Sequence, residues 1–459
     1  MIDAGSSIER CQRGKTRSLI LITAPFMNFV LRCVVTTLLC IAAPKTLPAQ
    51  TESPAPPLPA GEPAALYLTW QRDPAHTMTV HWHTVWTQGY RDPVLQYRRE
   101  GATTDWLTAA GKVLPMPFTD RMVHTVELTG LAPDTRYVFR LGRRTTSEAG
   151  EFIFSPDGPE YPFQTLPNTL SRPVRFVSGG DVYGNGETFA AINRAVAAKN
   201  PDFALMGSDI AYANEQPKNA SRWFEFLRIW GETMVAADGR LIPIVPAIGN
   251  HEVHGDTYDL RGGAPNRGVS PDRAPFFFSL FAFPGRPGYN VLDFGDYLSV
   301  VALDSFHANP VPGAQTEWLR DILAARSHVR HVVPLYHVPA YPSHRSFVGP
   351  VSVAIRANWV PLFDEHRVRF VFENHDHAYK VTHPLRAGER HKEGTRYLGD
   401  GAWAVGTRET TPLEKTPYLA RAQSRNHLFV VTLQAESAEF VAVDPTGQEF
   451  DRFIIETRP

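Results

Sequence analysis

Five apolar runs between Val174 and Phe372 each break off into residues that can hold a metal ion. They read VRFVSGGD, DFALMGSD, LIPIVPAIGN, HVVPLYH and VRFVFENHDH, and they deliver Asp181, Asp209, Asn250, His337, then His375 and His377. Runs of Val, Ile, Leu and Phe this continuous describe strands buried on both faces, the mark of an α/β arrangement. In open sheets of that kind the carboxyl ends of the strands line the binding site. In an extended chain His375 and His377 project from one face and can reach one point. Chance would scatter oxygen and nitrogen donors over helices and loops, whereas these six follow strands.

Two carboxylates, one amide oxygen and three imidazoles exceed the four donors of a tetrahedral zinc site. They suit two cations about 4 Å apart sharing a carboxylate, the geometry used for in-line displacement at phosphorus. Tyr212 lies three residues after Asp209 in SDIAYAN and adds a phenol. With an ordinary pKa of about 10 it becomes a ligand near neutral pH only beside a strongly polarising ion such as Fe(III).

Ahead of Val174 the rhythm differs. ALYLTWQ, MTVHWHTVW, VLQYRRE, HTVELTGL, RYVFRLGR and EFIFSPD are short, alternating and separated by turn residues, as in a β-sandwich. LTGLAPDTRY carries Leu131, Pro133, Thr135 and Tyr137 in the order of the tyrosine corner of fibronectin type III-like domains. After Val174 strands alternate with helices. GETFAAINRAVAAKN places Phe189, Ile192 and Val196 on one helical face, and Trp223, Phe224, Phe226 and Trp230 read as packing a second helix onto a sheet. LFVVTLQ, AEFVAVD and EFDRFIIE read as a closing antiparallel set.

The 459 residues are too many for one small core. A formal net charge of -1 without a long basic block argues against nucleic acid as the main partner. Cys11, Cys33 and Cys40 are the only cysteines, so the body of the chain offers no disulfide and no thiolate ligand. They fall in a basic, then apolar leader that reads as a signal peptide cleaved near Ala49, with Met27 as an alternative start. The expected organisation is a signal peptide over 1–49, a Pro-rich linker over 50–62, a fibronectin type III-like domain over 63–168 and a metal-binding catalytic domain over 172–459.

The blocks GDVYG, SDIAY, GNHE, PLYH and NHDH stand in the order of the five blocks of the purple acid phosphatases, within the calcineurin-like metallophosphoesterases, and the chain resembles that family from about residue 60 onward. The resemblance implies an α/β sandwich of two mixed β-sheets flanked by helices, preceded by the all-β domain. It implies Fe(III) on Asp181, Tyr212 and His377, a divalent ion (Zn, Fe or Mn) on Asn250, His337 and His375, and Asp209 bridging both. It places His251 against the phosphate and gives His344, in YPSHRSF, the role of helping the leaving group depart. Ser208 and Asn374 stand where the family has glycine, which is expected to reshape the pocket, and Tyr183 is expected to narrow the cleft. Pro334 replaces a valine.

The implied activity is that of an exported acid phosphatase hydrolysing phosphate monoesters by attack of a hydroxide held between the cations. A phosphodiesterase or a nucleotide or pyrophosphate hydrolase is the alternative on the same site, and a non-catalytic exported metal-containing binding protein the alternative of another class. The expected partner is a phosphate ester, with no nucleic acid and no membrane after signal cleavage. Arg261, Arg267, Arg273 and Arg345 lie in loops that would select it, though solvated charge is the ordinary fate of such residues. His254, His307, His328, His331, His366 and His383 read as ordinary surface or core histidines.

Overall fold

The computed structural model describes residues 63–457 apart from 86–93, 104, 145–151, 154–158 and 255–269. The leader with its cysteines, the linker, Arg261 and Arg267 lie outside the described residues. The described residues belong to the unit Ala55–Pro459. The alternating segments at the start form two four-stranded sheets. One runs Leu66–Thr69, Met78–Val85, Arg121–Leu128, Lys112–Pro115, and the other Tyr161–Gln164, Arg136–Leu141, Val94–Arg99, Leu107–Ala110. The tyrosine corner is present, with the Tyr137 hydroxyl accepting the Ala132 N–H at 2.9 Å. The core of this sandwich runs on into the α/β region beyond Val174. Trp70 is fully buried and meets Phe203 and Phe294 edge-on, and Tyr67 donates its hydroxyl hydrogen to the Leu280 carbonyl at 2.8 Å.

The α/β region starts with β1 (Val174–Gly179), α1 (Gly186–Ala197), β2 (Phe203–Met206), α2 (Ala220–Thr233) and β3 (Ile244–Pro246). β1, β2 and β3 are parallel, and β1 is also antiparallel to Leu428–Leu433, which continues into Ser437–Val443 and Glu449–Glu456. The second sheet has seven strands. Its parallel centre is Leu298–Ala302, β4 (His331–Leu335), β5 (Phe370–Phe372) and β6 (Arg396–Gly399). Aromatic side chains glue the two sheets face to face, Phe372 meeting Phe176, Phe429 and Phe440. Each such ring buries a large apolar area, the dominant favourable term in a core of this kind.

Helices cover both outer faces. Asn185 caps α1 by accepting the Thr188 N–H at 2.9 Å, and Phe189, Ile192 and Val196 are buried. α2 buries Trp223, Phe226 and Trp230, while Phe224 stays at the edge beneath the Arg121 guanidinium. Two mixed sheets flanked by helices, behind an all-β domain, is the expected class. Among the described residues no helix is long and apolar enough to cross a membrane. The parallel strands point their carboxyl ends the same way, and the loops leaving β1 to β6 meet there.

Candidate metal centre

The chain leaves β1 through Gly180 to Asp181, β2 to Asp209, β3 to Asn250, β4 to His337 and β5 to His375 and His377. Asp181 (φ 54°), Asp209 (φ 48°), Tyr212 (φ 55°), His375 (φ 79°) and His377 (φ 56°) all adopt left-handed backbone, which residues other than glycine seldom do. Such conformations cost on the order of 1–3 kcal/mol each and persist only where surrounding bonds impose them. The bonds are there. Glu252 accepts the N–H groups of Asp209 (2.8 Å), Ile210 (2.7 Å) and Gly249 (2.9 Å), tying the loop after β2 to the loop after β3. Asp181 Oδ2 accepts the His375 N–H at 2.7 Å, and the His337 carbonyl accepts the Asn374 N–H at 2.8 Å.

These loops bring together the seven side chains singled out as ligands, in two groups. His337 Nδ1 donates to the Gly207 carbonyl at 3.3 Å, so in the neutral ring Nε2 carries the lone pair. That lone pair faces Asp209 Oδ2, Asn250 Oδ1 and His375 Nδ1, each at 3.0 Å. Neither Asp209 Oδ2 nor Asn250 Oδ1 brings a proton to this point, so what joins the four atoms is a cation, either a proton on His337 Nε2 or a metal ion. Asp209, His337 and His375 offer donor atoms within 4.8 Å of one another, and all three residues are buried. In the second group His377 Nδ1 donates to the Gly406 carbonyl at 3.0 Å, leaving Nε2 to face Asp181 Oδ1 at 2.9 Å and the Tyr212 hydroxyl at 3.3 Å. Tyr212 reaches Asp181 Oδ1 at 2.8 Å. Fixing one imidazole nitrogen on a carbonyl so that the other can bind a metal is the usual way a protein orients such a ligand.

Electrostatics agree with the geometry. Burial and then His337 push the His375 imidazole well below its ordinary value, which keeps it neutral as a ligand must be. Burial pulls His337 down, but Asp209 and Asp181 outweigh it and raise it to about 9, so a proton is stabilised where a cation would be. Burial, then Asp181 and Asp209, push the Tyr212 phenol well above its ordinary value. Only a strong cation could make it a phenolate here. The donor set therefore fits metal, and fits oxygen- and nitrogen-binding ions rather than thiophilic ones.

His251 lies beside the centre. Its N–H reaches Asp209 Oδ1 at 2.9 Å, its Nε2 is 3.7 Å from Asp209 Oδ2, and its Nδ1 bonds Asn214. With Asn250, Arg345 and His375 it lines a cleft of about 480 Å³. His344 is exposed and outside that lining; its N–H is held by Asp376 at 2.7 Å and its Nδ1 donates to the Glu409 carbonyl at 2.7 Å.

Three sequence expectations change. Tyr183 does not narrow the cleft; it is buried against Phe189, because the loop after Asp181 turns its ring toward α1. Asn374 is buried away from the cleft and bonds the Tyr336 carbonyl at 2.9 Å, its amide occupying the space that a Cβ on Gly180 or Gly207 would need. Ser208 is buried too, at φ 79°, with its hydroxyl on the Gly207 carbonyl. Gly207 stands directly before Ser208, and the room for the Asn374 amide comes from Gly180 and Gly207 in two other loops.

Sequence reasoning read His307 as an ordinary surface or core histidine and passed over other residues behind the ligands. His307 meets the His337 ring edge-on at 5.5 Å. Asp304 also ends an apolar strand, yet it caps its own loop through the N–H groups of His307 and Ala308, both at 2.8 Å. Lys380, Glu373 and Asp400 form a fully buried ion cluster beneath the His375–His377 loop. Gly401, at φ 70°, lies against Asp181, and a Cβ there would overlap Asp181 Oδ2. We expect Gly401→Ala to cost about 1–3 kcal/mol, the usual range for overpacking. An unaltered thermal unfolding curve would contradict that close approach.

Fold and site together define a calcineurin-like phosphoesterase domain carried behind a β-sandwich. A family model described as the purple acid phosphatase N-terminal domain matches residues 63–165, and one described as calcineurin-like phosphoesterase matches residues 174–379. The chain belongs to the purple acid phosphatase family. It is 30% identical over 356 residues to an uncharacterized protein of Mycobacterium tuberculosis, covering 73% of this chain and 64% of that one. It is 26% identical over 330 residues to purple acid phosphatase 15 of Arabidopsis thaliana, covering 65% of this chain and 56% of the relative. The chain thus spans less than two thirds of the length of these curated relatives. The structure of purple acid phosphatase PPD1 from yellow lupin seeds has the same fold, with a TM-score of 0.72 at 18% identity, covering 86% of this chain and 74% of that chain. PhoD shares it more distantly, with a TM-score of 0.63 at 12% identity over 87% of this chain and 90% of that one.

Proposed function

We propose that the protein is an exported, dinuclear-metal acid phosphatase acting on phosphate monoesters. The observation that carries this reading is the convergence of donor atoms of Asp209, Asn250, His337 and His375 beside the Asp181, Tyr212 and His377 group. In this reading Asp181, Tyr212 and His377 hold Fe(III), Asn250, His337 and His375 hold a divalent ion (Zn, Fe or Mn), and Asp209 serves both. Bound there, the two ions would supply water activation and neutralisation of phosphoryl charge.

The chain's own groups do the rest. With Nδ1 engaged by Asn214, His251 presents Nε2 to a phosphoryl oxygen in the cleft and meets the charge that grows on it. His344 keeps Nδ1–H on the Glu409 carbonyl, which leaves Nε2 as the nitrogen that would serve the departing alkoxide. The same reading assigns 63–168 to the accessory sandwich, 172–459 to catalysis and 1–49 to export.

The test is hydrolysis of p-nitrophenyl phosphate by full-length protein reconstituted with iron and zinc. Absence of turnover across acid and neutral pH would contradict the proposal. Visible absorption tests the iron assignment separately. A phenolate on Fe(III) gives a coloured protein, and Tyr212→Phe is expected to bleach it; a wild type that stays colourless with iron bound would remove the phenolate.

A further inference from the structure

We infer that Arg345 and Arg408 form a second anion subsite beside the metal centre, one that selects substrates carrying a second phosphoryl group close to the one removed. The inference rests on the phosphatase reading above and adds to it the substrate class. Both guanidinium groups converge on one peptide oxygen, the carbonyl of His375, with Arg345 Nη1 at 2.5 Å and Arg408 Nη1 at 3.0 Å. Two like charges this close repel each other unless an anion joins them.

The protein supplies too little negative charge at that point. Among the described residues the only carboxylate that bonds either group is Asp376, whose Oδ1 accepts Arg345 Nη1 at 3.0 Å. Asp376 Oδ2 is taken up by the N–H groups of Ser343 at 2.8 Å and His344 at 2.7 Å. Asp181 is committed to the metal centre. Among the described residues Nε and Nη2 of both arginines have no protein acceptor. These planar forks suit the oxygens of a phosphoryl group, which an ammonium would meet only as a point charge.

Position argues the same way. Arg345 lines the cleft with Asn250, His251 and His375, and half-buried Arg408 shares the His375 carbonyl with it. The first phosphoryl group would be met by the metal ions and His251, which leaves the arginine donors for a second. The cleft, at about 480 Å³, has room for both. Phosphoanhydrides and esters of bisphosphorylated alcohols share the required chemistry.

The test compares kcat/KM for propyl phosphate, propane-1,3-diyl bisphosphate and inorganic pyrophosphate on the metal-loaded full chain. Wild type is expected to favour a substrate with two phosphoryl groups; a preference for pyrophosphate identifies an anhydride, and the reverse a bisphosphate ester. Arg408→Gln is expected to lower the ratio of two-phosphoryl to one-phosphoryl kcat/KM at least about tenfold, mainly through KM, the loss of one charge-assisted bond. Arg408→Lys keeps the charge without the fork and is expected to restore part of it, and it also serves if the glutamine variant does not fold. A ratio unchanged in both variants would overturn the subsite and leave the arginines as clamps on the His375 carbonyl. If wild type hydrolyses none of the three, the phosphatase reading fails by itself. The subsite is then read by calorimetric titration of propane-1,3-bisphosphonate against propylphosphonate, and an affinity ratio that Arg408→Gln leaves unaltered would overturn it.

Discussion

Asp209→Asn is expected to lower turnover of a phosphate monoester by about a thousandfold or more and to release both ions, with the fold intact. Asp209 is 1% exposed, Oδ1 accepts the His251 N–H at 2.9 Å, and Oδ2 faces His337 Nε2 at 3.0 Å. Asparagine has the same shape and one charge fewer. Its oxygen would stay on the His251 N–H, which turns its amide N–H toward the lone pair of His337. The new hydrogen bond satisfies both partners and fills with a proton the place proposed for a cation. Metal should be lost for that reason, not because the loop unfolds. Metal content by elemental analysis and kcat on p-nitrophenyl phosphate check this together. Two ions per chain and turnover within a few-fold of wild type would contradict the shared role of Asp209.

Lys380→Met is expected to destabilise the protein by about 3–5 kcal/mol, the range for removing one partner of a buried ion pair. Lys380 Nζ lies 2.5 Å from Glu373 Oε2 and 3.3 Å from Asp400 Oδ2, and none of the three side chains is exposed. It also donates to the Tyr341 carbonyl at 2.7 Å. Burial opposes its charge, yet Asp400 and Glu373 together hold the amine above its ordinary value. Without the amine Glu373 loses its buried cation, and Asp400, which burial already pushes well above its ordinary value, loses the charge that opposes that push. Glu373 additionally accepts the Tyr336 hydroxyl at 2.7 Å and the Ala340 N–H at 2.6 Å, on either side of His337, so the damage reaches the ligand loop. Combining Lys380→Met with Glu373→Gln and Asp400→Asn removes all the charges at once and is expected to recover much of the loss. Denaturant unfolding of the single and triple variants checks this, and a single-variant loss below about 1 kcal/mol would contradict it.

Much of the architecture was legible because it follows from local patterns. The alternation before Val174 became two sheets, and Tyr137 closed its corner. The apolar runs became parallel strands with donors at their ends. The strands Leu107–Ala110 and Lys112–Pro115 escaped notice because they are mostly exposed, so no hydrophobic rhythm marks them. Lys380 in AYKVT reads as an outward lysine on an alternating strand; its burial depends on Asp400, twenty positions later in the sequence and adjacent only after β6 pairs with Tyr379–Thr382. Gly401 and Arg408 were silent for the same reason. Tyr183 was misplaced because a loop side chain follows the turn of its backbone, which spacing does not encode. Asn374 replaces a glycine harmlessly because Gly180 and Gly207, in two other loops, make room for it.

Anomalous diffraction at the iron and zinc edges, from crystals grown with both metals supplied, tests the proposed centre most directly. The expected maps show two peaks, iron among Asp181, Tyr212 and His377 and the divalent ion among Asn250, His337 and His375, with Asp209 touching both. A pocket holding no ion, or a single ion on Asp209, His337 and His375 with nothing beside Tyr212, would contradict it.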